Sequence, residues 1–396
     1  MQPTNPVAAA THANPYPYYR DLLKGPALHF DPVLKLWVAS RAAVIREVFG
    51  NPQCLVRPAG EPVPAAIAGS AAGEVFSLLM RMNEGAAHAG PRRVIGQALS
   101  AIEPERIRAA ARQCAAMLGG RHDLSDGAGL TGWTFDLPTH VVAHLLGFGQ
   151  GELPSVARWV ADFVRSLSPL STAEQLAEAS VAAESLMLRC SELIRANAQD
   201  GETLLGEIRR GAEVAGWDSK RAILANLVGL LSQTHEATAG LIGNGIVALL
   251  RDPDLQARLR ADPALASAFV HEVARHDPPV QNTRRFVSAP ATVAGVPLKA
   301  GETILLLLAA AGRDPKVHHE PDAFMLDRPQ WELAGFGRGR HGCPGQAIAH
   351  TIAVQAIRHL LSEGALLDPS VLTWSYRPSA NGRLPIFSSA MTRELQ

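Results

Sequence analysis

Phe336-Gly337-Arg338-Gly339-Arg340-His341-Gly342-Cys343-Pro344-Gly345 is the stretch on which the reading of this chain turns. Four glycines surround one cysteine. Pro344 suits the first position of a following helix, and Ala349, Ile352, Ala353, Ala356 and Leu360 then recur as an apolar helical stripe. The sulfur is therefore expected at a helix N-terminus, where free amides and the helix dipole favour a thiolate. Glycines let the backbone bend around the sulfur and aim N–H groups at it, and such hydrogen bonds tune donation to a metal. An isolated cysteine is more often a small buried hydrophobe. Gly337-x-Gly339-x-x-Gly342 also fits a dinucleotide-binding pattern, but that pattern needs a strand on either side. Gln330 to Gly335 is poor strand material, and Glu363 follows a helix directly.

Working outward, the clearest helix starts near Asp218-Ser219 and runs to Leu250, where Arg251-Asp252-Pro253 stops it. It is apolar nearly all round and so expected to be buried. Ser232, Gln233, Thr234, His235, Glu236 and Thr238 at its centre argue against a membrane span. Further helices are expected at Pro17–Leu23, Arg41–Phe49 and Leu265–His276, and from Pro344 to Leu361, with most of 103–250 helical. Short strands are expected at Ala27–Phe30, Leu36–Ala39, Arg285–Val287, Thr292–Val296 and Thr303–Leu308. Residues 55–75 read as a long loop, as do 309–342, and 1–13 as a flexible tail before a single domain at 14–396. The class is mainly α with small β-sheets (α+β), without the alternation of a doubly wound sheet.

The ten residues match F-G-x-G-x-H-x-C-x-G at every fixed position, and the run resembles the haem-binding loop of cytochromes P450. The likeness extends from Asn14-Pro15-Tyr16-Pro17 to the last strands, in the order of short bacterial members. It implies a P450 fold, with haem b between a long distal helix and the cysteine loop, and Cys343 as the axial metal ligand. It places Phe336, Gly337 and Gly345 around the cofactor, and His88, Arg92, Arg285 and His341 as partners of its propionates. Glu272-x-x-Arg275, with Arg328, is implied as a structural brace under the ligand loop.

In the long helix, Gln233-Thr234-His235-Glu236-Ala237 aligns with the family's A-G-x-(D/E)-T. Glu236 matches the acid, but Ala237 stands where a threonine usually helps deliver protons. Thr238 points about 100° away on an ideal helix and is a poor replacement. Gln233 is expected either in the distal pocket or bonded to backbone. Glu236, Gln233, Ala237 and Thr238 are thus the candidate catalytic positions.

The implied activity is a haem-thiolate monooxygenase acting with dioxygen on a medium-sized, largely apolar small molecule, of the kind met in secondary metabolism. Alternatives are a haem-thiolate enzyme using peroxide or performing isomerisation, dehydration or coupling, and a non-catalytic haem-binding protein. The chain shows no flavin or iron–sulfur module, so a ferredoxin and its reductase are implied as electron donors, with Arg338 and Arg340 available for an acidic partner. By family position, 55–85 and 150–185 cover the pocket, through Val63, Ile67, Phe76, Leu79, Trp159, Phe163 and Leu167. Lys plus Arg and Asp plus Glu both number 37, so no basic footprint for nucleic acid or an anionic membrane is present. Cys54, Cys114, Cys190 and Cys343 form no close pair, which favours a reducing, cytoplasmic setting. No signal peptide or membrane anchor is expected from the opening residues.

Overall fold

In the computed structural model, which describes residues 2–196, 203–362 and 367–390, the long helix runs Lys220–Arg251. Ser219 Oγ accepts the Ala222 amide at its start, and Asp252 ends it by capping the next helix, Pro253–Ala261. At 1.5 Å per residue this helix spans roughly 48 Å. It packs on Gly127–Leu146, Ala173–Ala196, Ala266–His276 and Gln346–Ser362, which explains why it is apolar on every side. At Gly240 a Cβ would fall 2.7 Å from Pro279 Cβ and 3.2 Å from the Arg383 carbonyl oxygen. The absence of a side chain there lets the returning chain lie against the helix.

Nine strands are described: β1 (Leu28–Asp31), β2 (Leu36–Ala39), β3 (Cys54–Leu55), β4 (Thr283–Val287), β5 (Ala291–Val293), β6 (Val296–Leu298), β7 (Thr303–Leu306), β8 (Leu372–Tyr376) and β9 (Pro385–Ser389). Five form one sheet in the order β1-β2-β7-β4-β3, with only β2 and β7 parallel. Alternation along β4 buries Arg285 and Val287 and exposes Arg284. The single strand expected at Thr292–Val296 is a hairpin of β5 and β6. Its turn at Ala294-Gly295 takes two positive φ angles, of 50° and 76°, the backbone a two-residue hairpin demands.

Glu272, Arg275 and Arg328 form a buried node. Glu272 Oε1 lies 2.6 Å from Arg275 Nη2, and Oε2 lies 3.2 Å from Arg328 Nε. Arg275 also donates to the carbonyls of Gly312, Pro321 and Ala323, and Arg328 to that of His319. The Met325 amide and Trp331 Nε1 complete the shell of Glu272. Trp331 was not foreseen. The node fixes the otherwise irregular stretch 312–331, which leads to the cysteine loop.

Two expectations change. Residues 2–13 are docked rather than a flexible tail: Ala9 and Ala10 are fully buried, and Arg383 donates to the carbonyls of His12 and Ala13. The stretch 55–75 is not all loop, because Ser70 accepts the Gly73 amide and starts a helix, Ala71–Leu78. Its Ala- and Gly-rich sequence hides that helix. Among the described residues no helix is long and apolar enough to cross a membrane.

Candidate functional site

A cavity of about 560 Å³ opens between the long helix and the cysteine loop. Its floor is the loop itself. Gly337 turns the chain with φ 67°, a conformation that costs other residues energy. The Cys343 amide then donates to the Phe336 carbonyl at 2.9 Å. The helix Gln346–Ser362 begins just beyond Pro344 and Gly345. Cys343 has open surface, and that surface faces the cavity. Burial pushes its thiol up, while the Gly345 amide and the Arg92 guanidinium pull it down. Phe336, Gly337, His341 and Gly345 line the same floor.

The expected cationic set is brought together. Arg92 donates to the Gly342 carbonyl at 3.0 Å, and its Nε is buried without a partner. Arg285 sits over the Phe49 ring. Its guanidinium donates to the Arg284 carbonyl, and burial pulls its pKa down to about 10. The His88 and His341 rings lie 4.1 Å apart. The two nitrogens of His88 sit 2.9 Å from the carbonyls of Met80 and Arg340, so this ring ties the turn Met80–Met82 to the cysteine loop. His341 Nε2 lies 3.1 Å from Glu84 Oε2.

Glu84 is the member sequence reasoning missed. It also pairs with Arg340 at 3.1 Å, and Arg340 reaches the carbonyls of Asn51 and Cys54. Arg340 is thus turned inward, unlike the docking residue expected. Arg338 is exposed and lies 3.7 Å from Glu332. The Arg340 and His341 partners of Glu84 lie more than 250 positions along the chain, so no local spacing pointed to it.

The roof is the centre of the long helix. Gln233, Thr234, Ala237, Thr238 and Leu241 line the cavity. Gln233 therefore faces the pocket, yet its Nε2 donates to the Gly229 carbonyl one turn back, at 2.9 Å. Thr238, expected to point elsewhere, also lines the wall. Glu236 does not: its carboxylate pairs with Arg377 at 3.0 Å, and burial pushes its pKa up against the pull of Arg377 and Arg81. His235 points away too, toward Thr139 Oγ1 at 3.1 Å. Of the pocket residues expected from 55–85 and 150–185, only Leu167 lines the cavity; Ile67, Leu79 and Phe163 are core. Met80, Arg81, Met82 and Pro169 take those places.

Comparison with known proteins agrees with this fold. The family model described as Cytochrome P450 matches residues 215–366. The chain is 29% identical over 250 residues to the "Biotin biosynthesis cytochrome P450" of Bacillus subtilis, covering 63% of each chain. It is 34% identical over 278 residues to "Cytochrome P450 monooxygenase PikC" of Streptomyces venezuelae, covering 67% of this chain and 64% of that one. The matched stretch spans less than two thirds of the first curated relatives' own length. The crystal structure of CalO2 superposes with a TM-score of 0.82 at 24% identity, covering 98% of this chain and 99% of that one. P450BioI, in complex with an acyl carrier protein, superposes with a TM-score of 0.80. The fold is that of the cytochromes P450. The chain belongs to the cytochrome P450 family.

That family's prosthetic group is haem b. The residues present fit it. No aspartate or glutamate among the described residues lines the cavity, while the half-buried Arg92, whose Nε has no partner, and the buried Arg285 both line it. Guanidiniums enclosed in this way without counter-ions are costly, and the two propionates of haem b would satisfy them.

Proposed function

We propose that the chain is a haem-thiolate monooxygenase in which Cys343 Sγ would hold the haem iron. The observation that carries the reading is the aim of that sulfur: it faces a large cavity from a helix start, beneath the buried centre of the long helix. Arg92 and Arg285, joined by His341, would hold the propionates. Haem b would supply binding and reductive activation of dioxygen, with the thiolate pushing electron density toward O–O cleavage.

The chain's own work is threefold. Gly337 and the Phe336–Cys343 backbone bond hold the sulfur in place, and the Gly345 amide and Arg92 favour its ionised form. The apolar wall excludes water and holds an organic substrate against the floor. Proton supply falls to Glu236 and to whatever Thr238, Gln233 or a water can relay, because Ala237 offers only a methyl group. Electrons are delivered by a ferredoxin and its reductase, and the setting is the cytoplasm.

Turnover with a ferredoxin, its reductase and isotopically labelled dioxygen tests this reading. One labelled oxygen atom in the organic product is expected. A product formed with hydrogen peroxide and none with the reductant chain would instead establish a peroxide-using enzyme, a reading that Ala237 favours.

A further inference from the structure

The cavity wall carries Arg81, Arg92, Arg284 and Arg285 and no acid among the described residues. Two propionates balance two of these guanidiniums. Their partners can be assigned by place. The charges acting on Arg285 are Glu84, Arg340 and Cys54, all beside the cysteine loop. The charge acting on Arg81 is Glu236, on the long helix. Arg81 lies in the turn Met80–Met82, whose Met80 amide donates to Asn226 Oδ1 on the long helix, and it lines the chamber beside that helix.

Glu236 cannot neutralise it. That carboxylate already holds Arg377 at 3.0 Å, so one acid stands between two guanidiniums and a positive charge is left over. The Arg81 side chain has no hydrogen bond or ion pair with a described residue. Arg81 is exposed into the cavity it lines, and desolvation is the largest influence on it, pulling its pKa down. Arg284 also borders the cavity, but it alternates with Arg285 along β4 and turns its exposed side chain to the other face of the strand. A ligand that fills the chamber displaces water from the Arg81 guanidinium, and an anion carried by that ligand offsets the cost. The guanidinium fork matches a carboxylate in two parallel bonds. Around it the wall is apolar, with Val142, Leu145, Leu167, Leu230 and Leu241.

We propose that Arg81 is a specificity-determining residue that receives the carboxylate of a substrate whose apolar body fills the rest of the chamber. This rests on the cavity being the substrate chamber of a haem enzyme, and it narrows the substrate from largely apolar to an apolar acid.

The test uses the haem-loaded protein and a panel of straight-chain and aryl carboxylic acids, each against its methyl ester and primary amide. Binding is read by titration calorimetry and by the substrate-induced Soret shift. In the unsubstituted protein at least one acid binds more tightly than both neutral partners, by roughly 10- to 100-fold, the range for a lost charged hydrogen bond. Arg81→Gln removes that preference and leaves ester and amide affinities within about twofold. Arg81→Lys keeps part of it, because the charge remains without the fork. The inference is overturned if no acid in the panel beats its neutral partners, or if Arg81→Gln leaves the preference intact. The reduced carbon-monoxide spectrum of each variant separates the two ideas. A normal thiolate band without acid preference sinks the role of Arg81 alone, whereas no thiolate band in the unsubstituted protein sinks the proposed function beneath it.

Discussion

Glu236, on the long helix, is held by Arg377 at 3.0 Å from just beyond β8, and its carboxylate lies off the cavity wall. Burial raises its pKa and Arg377 lowers it, so the pair sets when this acid holds a proton. Glu236→Gln is expected to slow turnover by roughly 10²-fold, the lower end for a lost proton-transfer group, with substrate-induced spectra unchanged. Arg377→Met removes the lowering influence. The alkaline limb of the pH–turnover profile, where this proton donor ionises, then moves to higher pH. An unmoved limb would show that Arg377 does not govern the acid.

Ala237 bears a methyl where the family's hydroxyl usually stands. Ala237→Thr is expected to raise the fraction of electrons that reach product and to reduce hydrogen peroxide release, each by several-fold, on the order of what a positioned proton relay contributes. The companion variant Thr238→Val reports on the hydroxyl already on the wall. If it uncouples the unsubstituted enzyme while Ala237→Thr changes nothing, Thr238 has taken over the relay.

Glu272 is fully buried against Arg275 and Arg328. Removing it strands two buried guanidiniums, a loss of about 3–5 kcal/mol. Glu272→Ala should therefore lower the melting temperature by several degrees and cut haem retention, because 312–331 loses its anchor. Arg275→Lys should fail similarly, since one ammonium cannot reach the carboxylate and three carbonyls together. Thermal melting followed at the Soret band and by far-UV dichroism checks both.

How much was readable in advance followed the range of the interactions. The ligand loop, the long helix and Glu272 with Arg275 are local patterns, and the structure places them as their spacing suggested. The stretch 55–75 was misread because its Ala- and Gly-rich composition masks a helix whose start depends on one Ser70 cap. Glu84, Trp331, Arg81 and Arg377 were invisible for a different reason. Each acts on a residue far along the chain, Glu84 on His341 and Arg377 on Glu236, and nothing in a single sequence pairs them. The docked N-terminus depends likewise on Arg383, more than 360 residues away.

His235 is buried and His276 half-buried, and desolvation is the main cause that lowers their pKa values to about 4 and about 3, so both rings are neutral. His276 Nδ1 lies 3.0 Å from Arg313 Nη2, an arrangement that protonation breaks. Both values lie below those of the unfolded chain, so the unfolded state takes up more protons below about pH 6.5. Their contribution is present above that pH and is lost as pH falls toward 4. Stability should drop by about 1–2 kcal/mol per histidine between pH 7 and 5. Urea titrations across that range should show the slope, and His235→Asn or His276→Asn should flatten it.

The claim beneath all of this is that the Cys343 sulfur ligates the haem iron as a thiolate. The direct measurement is the difference spectrum of the reduced protein with and without carbon monoxide, taken on the unsubstituted chain and on Cys343→Ser. The account predicts the long-wavelength Soret band of a thiolate-bound haem in the first and its absence in the second. The same band in both proteins, or none in the unsubstituted protein after reconstitution with haemin, would contradict it.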